Sequence, residues 1–587
     1  MNYFQHVSLA ADQTIIAAWD SQVAEAIGTP EVEELLVQRG GELFARFAVC
    51  YAQLRALPRG ARRALLRQLT RSQVLTGISP ESQRNLARTL AGAALVLALG
   101  QGVAQSATIT VNTNIPTILA DGKCSLVEAI INANNDALTH PDCAAGSGAD
   151  TIALPAASVH TILTDYDSTY GATRLPAITS QITIQGNGGK ITRKKSKLLS
   201  RLIAVASSGD LTLDNVSVSG GAQYFGGAIV NFGMLTITDS TLSGNTAVRG
   251  GAIYNYTDGA VTISNSVITG NKAAYGGAGI FTYRGAVTVE SSALTKNVAP
   301  YGGGVYSYNG TVSIENSTIS SNTGYRGGGI RYHGGEFTIE RSLVANNKAA
   351  ASGGGISGED NGTLTISNSV ISGNSTPSFG AGISLASAYV TIENSTISGN
   401  KAGYAGGGIA NFGAFLIIEN STISGNSAKR IGGGLWNQGP AALSQTTISS
   451  NSVKNIGGGI YNSFNQLTLN RSLVSGNKAG VGPEINNRSS NSATVVADNF
   501  NLFGVNGNSG VTGFAPGVSD IVPPAGVLIS NILAPLANNG GPTQTHALVA
   551  GSPAIDASPA DADCPSTDQR GTLRPQGPLC DIGAFEK

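Results

Sequence analysis

The amino-acid sequence predicts an all-β fold, a right-handed parallel β-helix with coils of about 25 residues. Two columns of recurring residues carry this prediction. The first consists of asparagines that follow one another at intervals of 25 to 27 residues, and its members are Asn245, Asn271, Asn297, Asn322, Asn347, Asn374, Asn400, Asn426, Asn451 and Asn477. The second consists of apolar residues that follow glycine-rich triplets, and its members are Ile229, Ile253, Ile280, Val305, Ile330, Ile356, Ile383, Ile409, Leu435 and Ile460.

The content of each repeat favours a β-helix over other repeat folds. In the unit from residue 390 to 411, short alternating runs at 390–392 and 395–397 predict two strands, and 408–411 predicts a third. The repeats lack the 3.6-residue period of a helix, which excludes leucine-rich, ankyrin and tetratricopeptide repeats. We therefore expect three short strands per coil, with the asparagines pointing inward and bonded in an amide ladder.

Composition divides the chain into four segments. Residues 1–106 form an extended leader, helical and arginine-rich in pattern, with a signal-peptide-like segment at 88–106. Residues 107–200 are expected to form an N-terminal cap, with a helical segment at 121–136, and the first coils. Residues 201–480 are expected to form the repeats, and 481–587 the final coils and a C-terminal module. The leader is long for a signal peptide, which leaves open a later start site or a retained helical segment.

The cysteines agree with export. Apart from Cys50 in the leader, they fall in two local pairs, Cys124 with Cys143 and Cys564 with Cys580. Histidine is missing at ligand spacing near either pair, so the sequence predicts two disulfides and no metal centre. The expected location is outside the cytoplasm: secreted, periplasmic, or associated with the outer membrane or cell surface.

Two short motifs resemble bacterial exported proteins. Cys124-Ser125-Leu126 and Glu128-Ala129-Ile130 resemble the N-terminal motif named CSLREA, with Val127 in the place of its arginine. The tetrapeptides at 226–229 and 250–253 resemble the GGA[ILV] repeats of chlamydial polymorphic outer membrane proteins. These resemblances imply a capped, exported β-helix with an adhesin-like role.

The C-terminal segment is similar to the choice-of-anchor Q domain. The matching residues are 539–543, 551–556, 568–571, 574–575 and 580–584. The resemblance implies a module that accompanies cell-surface anchoring. A sorting motif or terminal apolar helix does not follow it, so we expect membrane contact during export or through an anchor of another kind.

An outward aromatic face is the candidate binding site. Alternation along the strand that begins at each column isoleucine predicts that two rows point outward, and their aromatic members are Tyr254, Phe281 and Tyr306 in one row and Tyr256, Tyr283 and Tyr308 in the other. Both rows end at Arg331 and His333. Such a face suits surface glycans or molecules on a host or neighbouring cell, although stacked aromatics also stiffen a sheet without any ligand.

Evidence for catalysis is weaker. Glu290, Glu315 and Glu340 form a carboxylate column in consecutive coils, and like charges at that spacing predict a protonated member or a bridging cation such as Ca²⁺. Together with His333 and Arg331 they are the candidate catalytic residues. The 36 basic and 36 acidic residues cancel, which argues against nucleic acid as a partner.

The sequence thus favours a non-catalytic, adhesin-like surface or secreted protein, and leaves enzymatic activity undecided. The first alternative is a polysaccharide lyase or glycoside hydrolase of the pectin-lyase-like fold, which would need a cluster of acidic and basic residues across neighbouring coils. The second is a structural spacer, which would need neither that cluster nor an aromatic face.

Overall fold

The computed structural model describes residues 106–194 and 198–587. These residues belong to one compact unit that runs from Ala104 to Lys587. The expected helical leader and the signal-like segment therefore lie outside the described residues, apart from Ser106. Within the described ranges, no helix is both long and apolar enough to cross a membrane.

One α-helix, α1 (Leu126–Asn135), covers the first coils, as the sequence predicts for the segment around Cys124. Ser125 begins it, because its hydroxyl accepts the Glu128 N–H while the Glu128 carboxylate accepts the Ser125 N–H. Asp136 ends it in the left-handed conformation. The Cys124–Cys143 disulfide forms as predicted and joins the start of the helix to the loop that follows it. Two 3-10 helices lie near the other end of the solenoid, and they are Ser489–Asn491 and Ile529–Asn531.

The repeat region is a parallel β-solenoid with up to four strands per coil. A representative coil contains the strands Tyr389–Glu393, Thr396–Ser398, Lys401–Ala402 and Ile409–Asn411. We name these four positions rows a, b, c and d. The expectation of three strands is wrong by one, because the row c strand here is two residues long and carries no alternation that the sequence reveals.

Rows a and b belong to one 27-stranded sheet, since two long strands near the N-terminus run through both rows. The row a strands are Thr108–Thr110, Asp150–Ala153, Gln181–Arg193, Asp210–Ser219, Met234–Thr238, Ala260–Ser264, Ala286–Glu290, Thr311–Glu315, Glu336–Glu340, Thr363–Ser367, Tyr389–Glu393, Phe415–Glu419, Ala441–Ser444, Gln466–Asn470 and Thr494–Val496. The row b strands are Val159–Ile162, the second halves of Gln181–Arg193 and Asp210–Ser219, and then Thr241–Ser243, Val267–Thr269, Ala293–Thr295, Thr318–Ser320, Leu343–Ala345, Val370–Ser372, Thr396–Ser398, Thr422–Ser424, Thr447–Ser449, Leu473–Ser475 and Leu502–Phe503.

Rows c and d form the remaining sheets. Row c contains a three-stranded and a six-stranded sheet, with strands Ala222–Phe225, Thr246–Arg249, Lys272–Gly276, Thr323–Arg326, Lys348–Ser352, Ser375–Thr376, Lys401–Ala402, Ser427–Ala428 and Ser452–Val453. Row d is a 13-stranded sheet, with strands Ile203–Val205, Ile229–Asn231, Ile253–Asn255, Ile280–Tyr283, Val305–Tyr308, Ile330–His333, Ile356–Glu359, Ile383–Leu385, Ile409–Asn411, Leu435–Asn437, Ile460–Asn462, Ile485–Asn487 and Val511–Thr512.

The predicted asparagine ladder is present and is fully buried along most of its length. Asn347 illustrates the pattern: its Nδ2 donates to Asn374 Oδ1 at 3.1 Å and to the Ile319 carbonyl at 2.9 Å. Its own Oδ1 accepts both the backbone N–H and the side-chain amide of Asn322. The bonds from side chain to side chain all run in the same direction along the solenoid, so each coil is bonded to the next through side chains as well as strands.

Glu484 ends this ladder. Its carboxylate accepts hydrogen bonds from the backbone N–H groups of Gly476 and Asn477 and from the Asn477 amide. Burial raises the pKa of Glu484 to about 8, although the three donors oppose the rise. A carboxyl group is suited to this position, because its oxygens accept the N–H groups that the last asparagine presents and no further amide is needed.

The C-terminal module folds back along row b and covers its last five described coils. Gln569 is the centre of the contact: its Nε2 donates to Thr396 Oγ1 at 3.0 Å, and its Oε1 accepts the Thr422 hydroxyl at 2.6 Å. His546 Nε2 lies 2.8 Å from Ser424 Oγ. Thr447 is buried in the same way and accepts the Ala584 N–H. In the earlier coils, the equivalent row b residues are partly exposed.

A buried ion pair holds the module together internally. Arg574 donates to the Glu586 carboxylate at 3.1 Å and to the carbonyl oxygens of Asp581 and Gly583. The predicted Cys564–Cys580 disulfide is also present. The module is therefore ordered by a polar network of its own and not by continuation of the repeats.

Candidate functional site

The candidate aromatic face lies on the outer side of row d. Each row d strand starts with an inward isoleucine, valine or leucine, so that its second residue points outward. The third residue points inward, as the buried Asn231 and Asn255 demonstrate, and their amides are bonded to each other at 2.8 Å. This inward orientation confirms the alternation on which the prediction of two aromatic rows was based.

The two rows differ in accessibility, which the sequence did not indicate. Tyr254, Phe281 and Tyr306 are 5%, 2% and 3% exposed. They point away from the solenoid interior, but side chains from row c cover them on one side and the second aromatic row covers them on the other. Tyr254, Phe281 and Tyr306 therefore form a small buried cluster outside the solenoid interior, which we call the outer core. Contrary to the sequence expectation, it does not form an open surface.

The second row remains accessible, and we call it the outer tyrosine row. It consists of Tyr256, Tyr283 and Tyr308, with His333 at its end. Ring centroids follow one another at 5.7, 5.4 and 4.6 Å, with interplanar angles of 20° or less. Because the rings stack on each other, their faces are occupied within the row. Their edges and hydroxyl groups are what they present to solvent, and Tyr256 is 41% exposed.

The outer core is bordered by further rings on the row c side and by two arginines, Arg249 of row c and Arg331 of row d. Tyr275 and Tyr301 lie edge to face with centroids 5.2 Å apart. The Arg249 guanidinium lies 4.7 Å from the Tyr275 ring centroid, and Arg331 lies 4.5 Å from that of Tyr301. Both distances are in the range of cation–π contacts. The aromatic face is thus interleaved with positive charge.

The aromatic face ends at a cluster of charged residues in the coil that contains Arg331 and His333. Glu359, from the following coil, accepts hydrogen bonds from Arg331 at 2.8 Å and from Arg326 at 2.9 Å. His333 pairs with Asp360. Sequence analysis identified Arg331 and His333 but missed both carboxylates, although Glu359 occupies the position in its strand that His333 occupies in the previous one.

Burial also determines the protonation of the inner tyrosines. It raises the pKa of Tyr254 to about 12, and the nearby Arg249 guanidinium opposes this rise. Burial raises the pKa of Tyr306 as well. Both hydroxyl groups therefore stay protonated at neutral pH and remain hydrogen-bond donors.

The carboxylate column lies on row a, where Glu290, Glu315 and Glu340 pair in register across three coils. Arg341 binds both Glu315 and Glu340. For the pair Glu315 and Glu340, the positive charge that lies between the two carboxylates is therefore that of an arginine. Among the residues that the structure describes, no group of three or more metal-ligating side chains comes together.

Similarity to family models and to solved structures relates the chain to known proteins. A family model described as "Right handed beta helix region" matches residues 180–349, 226–387 and 329–500, which together extend over more than half of the chain. No curated protein matches. A solved structure described as "Crystal structure of pectate lyase Pel9A" aligns over 82% of this chain and 98% of its own, with 16% identity and a TM-score of 0.27.

Proposed function

The chain belongs to the right-handed β-helix family, and from that premise we propose that it is an exported, non-catalytic, adhesin-like protein that binds saccharides along the outer tyrosine row. The observation that carries the proposal is an evenly spaced row of partly exposed tyrosines. An even row suits a ligand that itself repeats, as a polysaccharide does. The two disulfides are typical of proteins outside the cytoplasm.

The stacking of the row defines how it would bind. Ring faces are covered by neighbouring rings, so a sugar cannot lie flat on each tyrosine. The hydroxyl groups and ring edges remain available to a ligand. A phenol hydroxyl both donates and accepts hydrogen bonds, as sugar hydroxyls do. We therefore assign recognition chiefly to the hydroxyl groups of Tyr256, Tyr283 and Tyr308.

A glycan array with the full chain tests the proposal. The variant Tyr256→Phe/Tyr283→Phe/Tyr308→Phe keeps the stacked rings and removes the hydroxyl groups. We expect it to lose about tenfold or more in affinity, because each hydrogen bond contributes on the order of 1 kcal/mol. A matched control replaces three exposed aromatic residues elsewhere, as in Tyr389→Ala/Phe415→Ala/Phe464→Ala, and should bind like the wild type. Equal losses in both variants, or no binding by the wild type, would refute the proposal.

The charged cluster supports a second candidate, a polysaccharide lyase or hydrolase. Arg326, Arg331 and His333 face Glu359 and Asp360 across neighbouring coils, an arrangement that acid–base chemistry requires. Their charges, however, are already paired with each other. Assays for reducing ends and for unsaturated products on every array ligand separate the candidates: product that disappears in Glu359→Gln would establish the enzyme and displace the first proposal.

A further inference from the structure

Arg249 is held in a frame of aromatic rings. Its guanidinium carbon lies 4.7 Å from the ring centroid of Tyr275, 5.7 Å from that of Phe281 and 6.0 Å from that of Phe225. The side chain is half-buried. A long side chain that is already ordered by its neighbours loses little conformational freedom when it binds a ligand.

The charge of Arg249 is not neutralised. Among the residues that the structure describes, no carboxylate oxygen lies within 4.0 Å of it. The same holds for Arg284, which lies over the Tyr283 ring at 5.4 Å. Asp258 is the acidic residue of the neighbouring turn, and it too is farther than 4.0 Å from both guanidinium groups.

Arg331 shows how an arginine among aromatic rings binds an anion in this structure. It lies 4.5 Å from the Tyr301 centroid and 5.6 Å from that of Tyr306, a setting similar to that of Arg249. Its guanidinium binds the Glu359 carboxylate at 2.8 Å. At Arg249 the rings are in place but the carboxylate is missing.

The position of Arg249 connects it with the outer tyrosine row. Tyr254 contacts Arg249 on one side, and on the other its ring stacks on Tyr256 with centroids 6.2 Å apart. A saccharide bound at Tyr256 and extending across the surface towards row c would therefore bring a substituent to the guanidinium.

We infer that Arg249 is an anion subsite, and that the saccharides bound along the outer tyrosine row carry carboxylate or sulfate groups. This inference rests on the proposed function and adds the chemical class of the ligand. Guanidinium groups bind both anions through paired, charge-assisted hydrogen bonds. Arg284 contributes a second positive charge beside the row.

Titration calorimetry of the full chain against matched hexasaccharides tests the inference. The panel holds the neutral, uronate and 6-O-sulfated forms of β-1,4-glucan, β-1,3-glucan and α-1,4-glucan. We expect an acidic form to bind at least about tenfold more tightly than its neutral partner, which corresponds to one charge-assisted hydrogen-bond pair. The uronate and sulfate arms identify which anion is preferred.

Arg249→Gln should reduce binding of the acidic form to the level of the neutral form and leave the neutral form unchanged. Arg249→Lys keeps the charge and should restore part of the preference. Arg430→Gln is the control, because Arg430 lies over Tyr404 at 5.3 Å in a distant coil and should have no effect. Equal binding of neutral and acidic forms, or equal losses for Arg249→Gln and Arg430→Gln, would overturn the inference alone. Binding of no panel member would overturn it together with the proposed function.

Discussion

Each buried asparagine of the ladder links neighbouring coils through hydrogen bonds, as the backbone groups of the strands do. Asn347 uses both amide protons and accepts two further hydrogen bonds, all within 3.1 Å. A polar side chain in an apolar interior is tolerated when every donor and acceptor is satisfied. The periodic asparagines could be predicted to do this from the sequence, because a polar residue repeated at a buried position needs partners and its neighbours above and below are the available ones.

The substitution Asn347→Ala should strongly destabilise the protein. It removes two acceptor contacts and two donor contacts, and leaves the Asn322 amide and the Asn374 oxygen short of partners. Because each unsatisfied buried group costs about 1–3 kcal/mol, we expect a loss on the order of 3 kcal/mol in the free energy of unfolding. Urea unfolding measures it, with Lys348→Ala at the exposed neighbouring position as control. A similar midpoint for the two variants would contradict the role of the ladder.

At the level of single elements, sequence patterns succeeded where alternation or capping fixes the geometry. The helix after Ser125, the strands of rows a and d and the two disulfides follow from such local rules. The short row c strands do not, since two-residue strands are stabilised by the coils on either side and carry no periodic signal. The burial of Tyr254 also escaped prediction, because alternation determines which way a side chain points and says nothing of what covers it.

The glycine triplets allow neighbouring coils to approach each other, and Gly354 is a clear case. A Cβ atom at Gly354 would lie 2.5 Å from the Ala381 carbonyl oxygen and 2.7 Å from that of Ser375, both in the next coil. At Gly270 a Cβ would have open space, but the residue has a φ of +64°.

We therefore expect Gly354→Ala to destabilise the protein by about 3 kcal/mol, because backbone atoms cannot move aside. For Gly270→Ala we expect about 1 kcal/mol, the cost of a left-handed alanine. Thermal unfolding of the two variants gives the comparison. If Gly270→Ala proves the more destabilising, backbone conformation and not coil spacing is what the glycines provide.

On the scale of the whole molecule, the C-terminal module determines which part of row b meets solvent. It rests on Thr396, Thr422 and Thr447, which occur in three successive copies of a Thr-Ile-Ser strand. In the earlier coils the first residue of this strand varies among threonine, valine, alanine and leucine. The run of identical strands was the sequence feature that indicated a covered surface. It was missed because neither its cause nor the return path of the chain is evident from sequence.

Docking of the module should depend on pH through His546. Burial lowers the pKa of His546 below its ordinary value of 6.5, while its bond to the Ala534 carbonyl opposes the shift. An undocked module would therefore take up a proton first, so the stabilisation is present above pH 6.5 and is lost as the pH falls below that value.

Hydrogen exchange of residues 532–587 at pH 7.5 and 5.5 measures this effect. We expect lower protection factors, in which the intrinsic pH dependence of amide exchange is already corrected for, at the lower pH in the wild type, and no such difference in His546→Gln, which stays neutral. His140→Gln, in the N-terminal region, should behave like the wild type. The interpretation fails if His546→Gln retains the pH response.

The one-directional asparagine ladder also bears on how such a chain can change its length over evolutionary time. Every repeat contributes one ladder amide that both donates and accepts, so a tandemly duplicated coil arrives with both halves of its bonding already matched to its neighbours. Intervals of 25 to 27 residues are tolerated because each amide needs to meet only the adjacent coil. Gain or loss of a whole coil is thus a conservative genetic event here, whereas Glu484, whose carboxyl group accepts the last amide and ends the ladder, marks a boundary that duplication of the preceding repeats would leave in place.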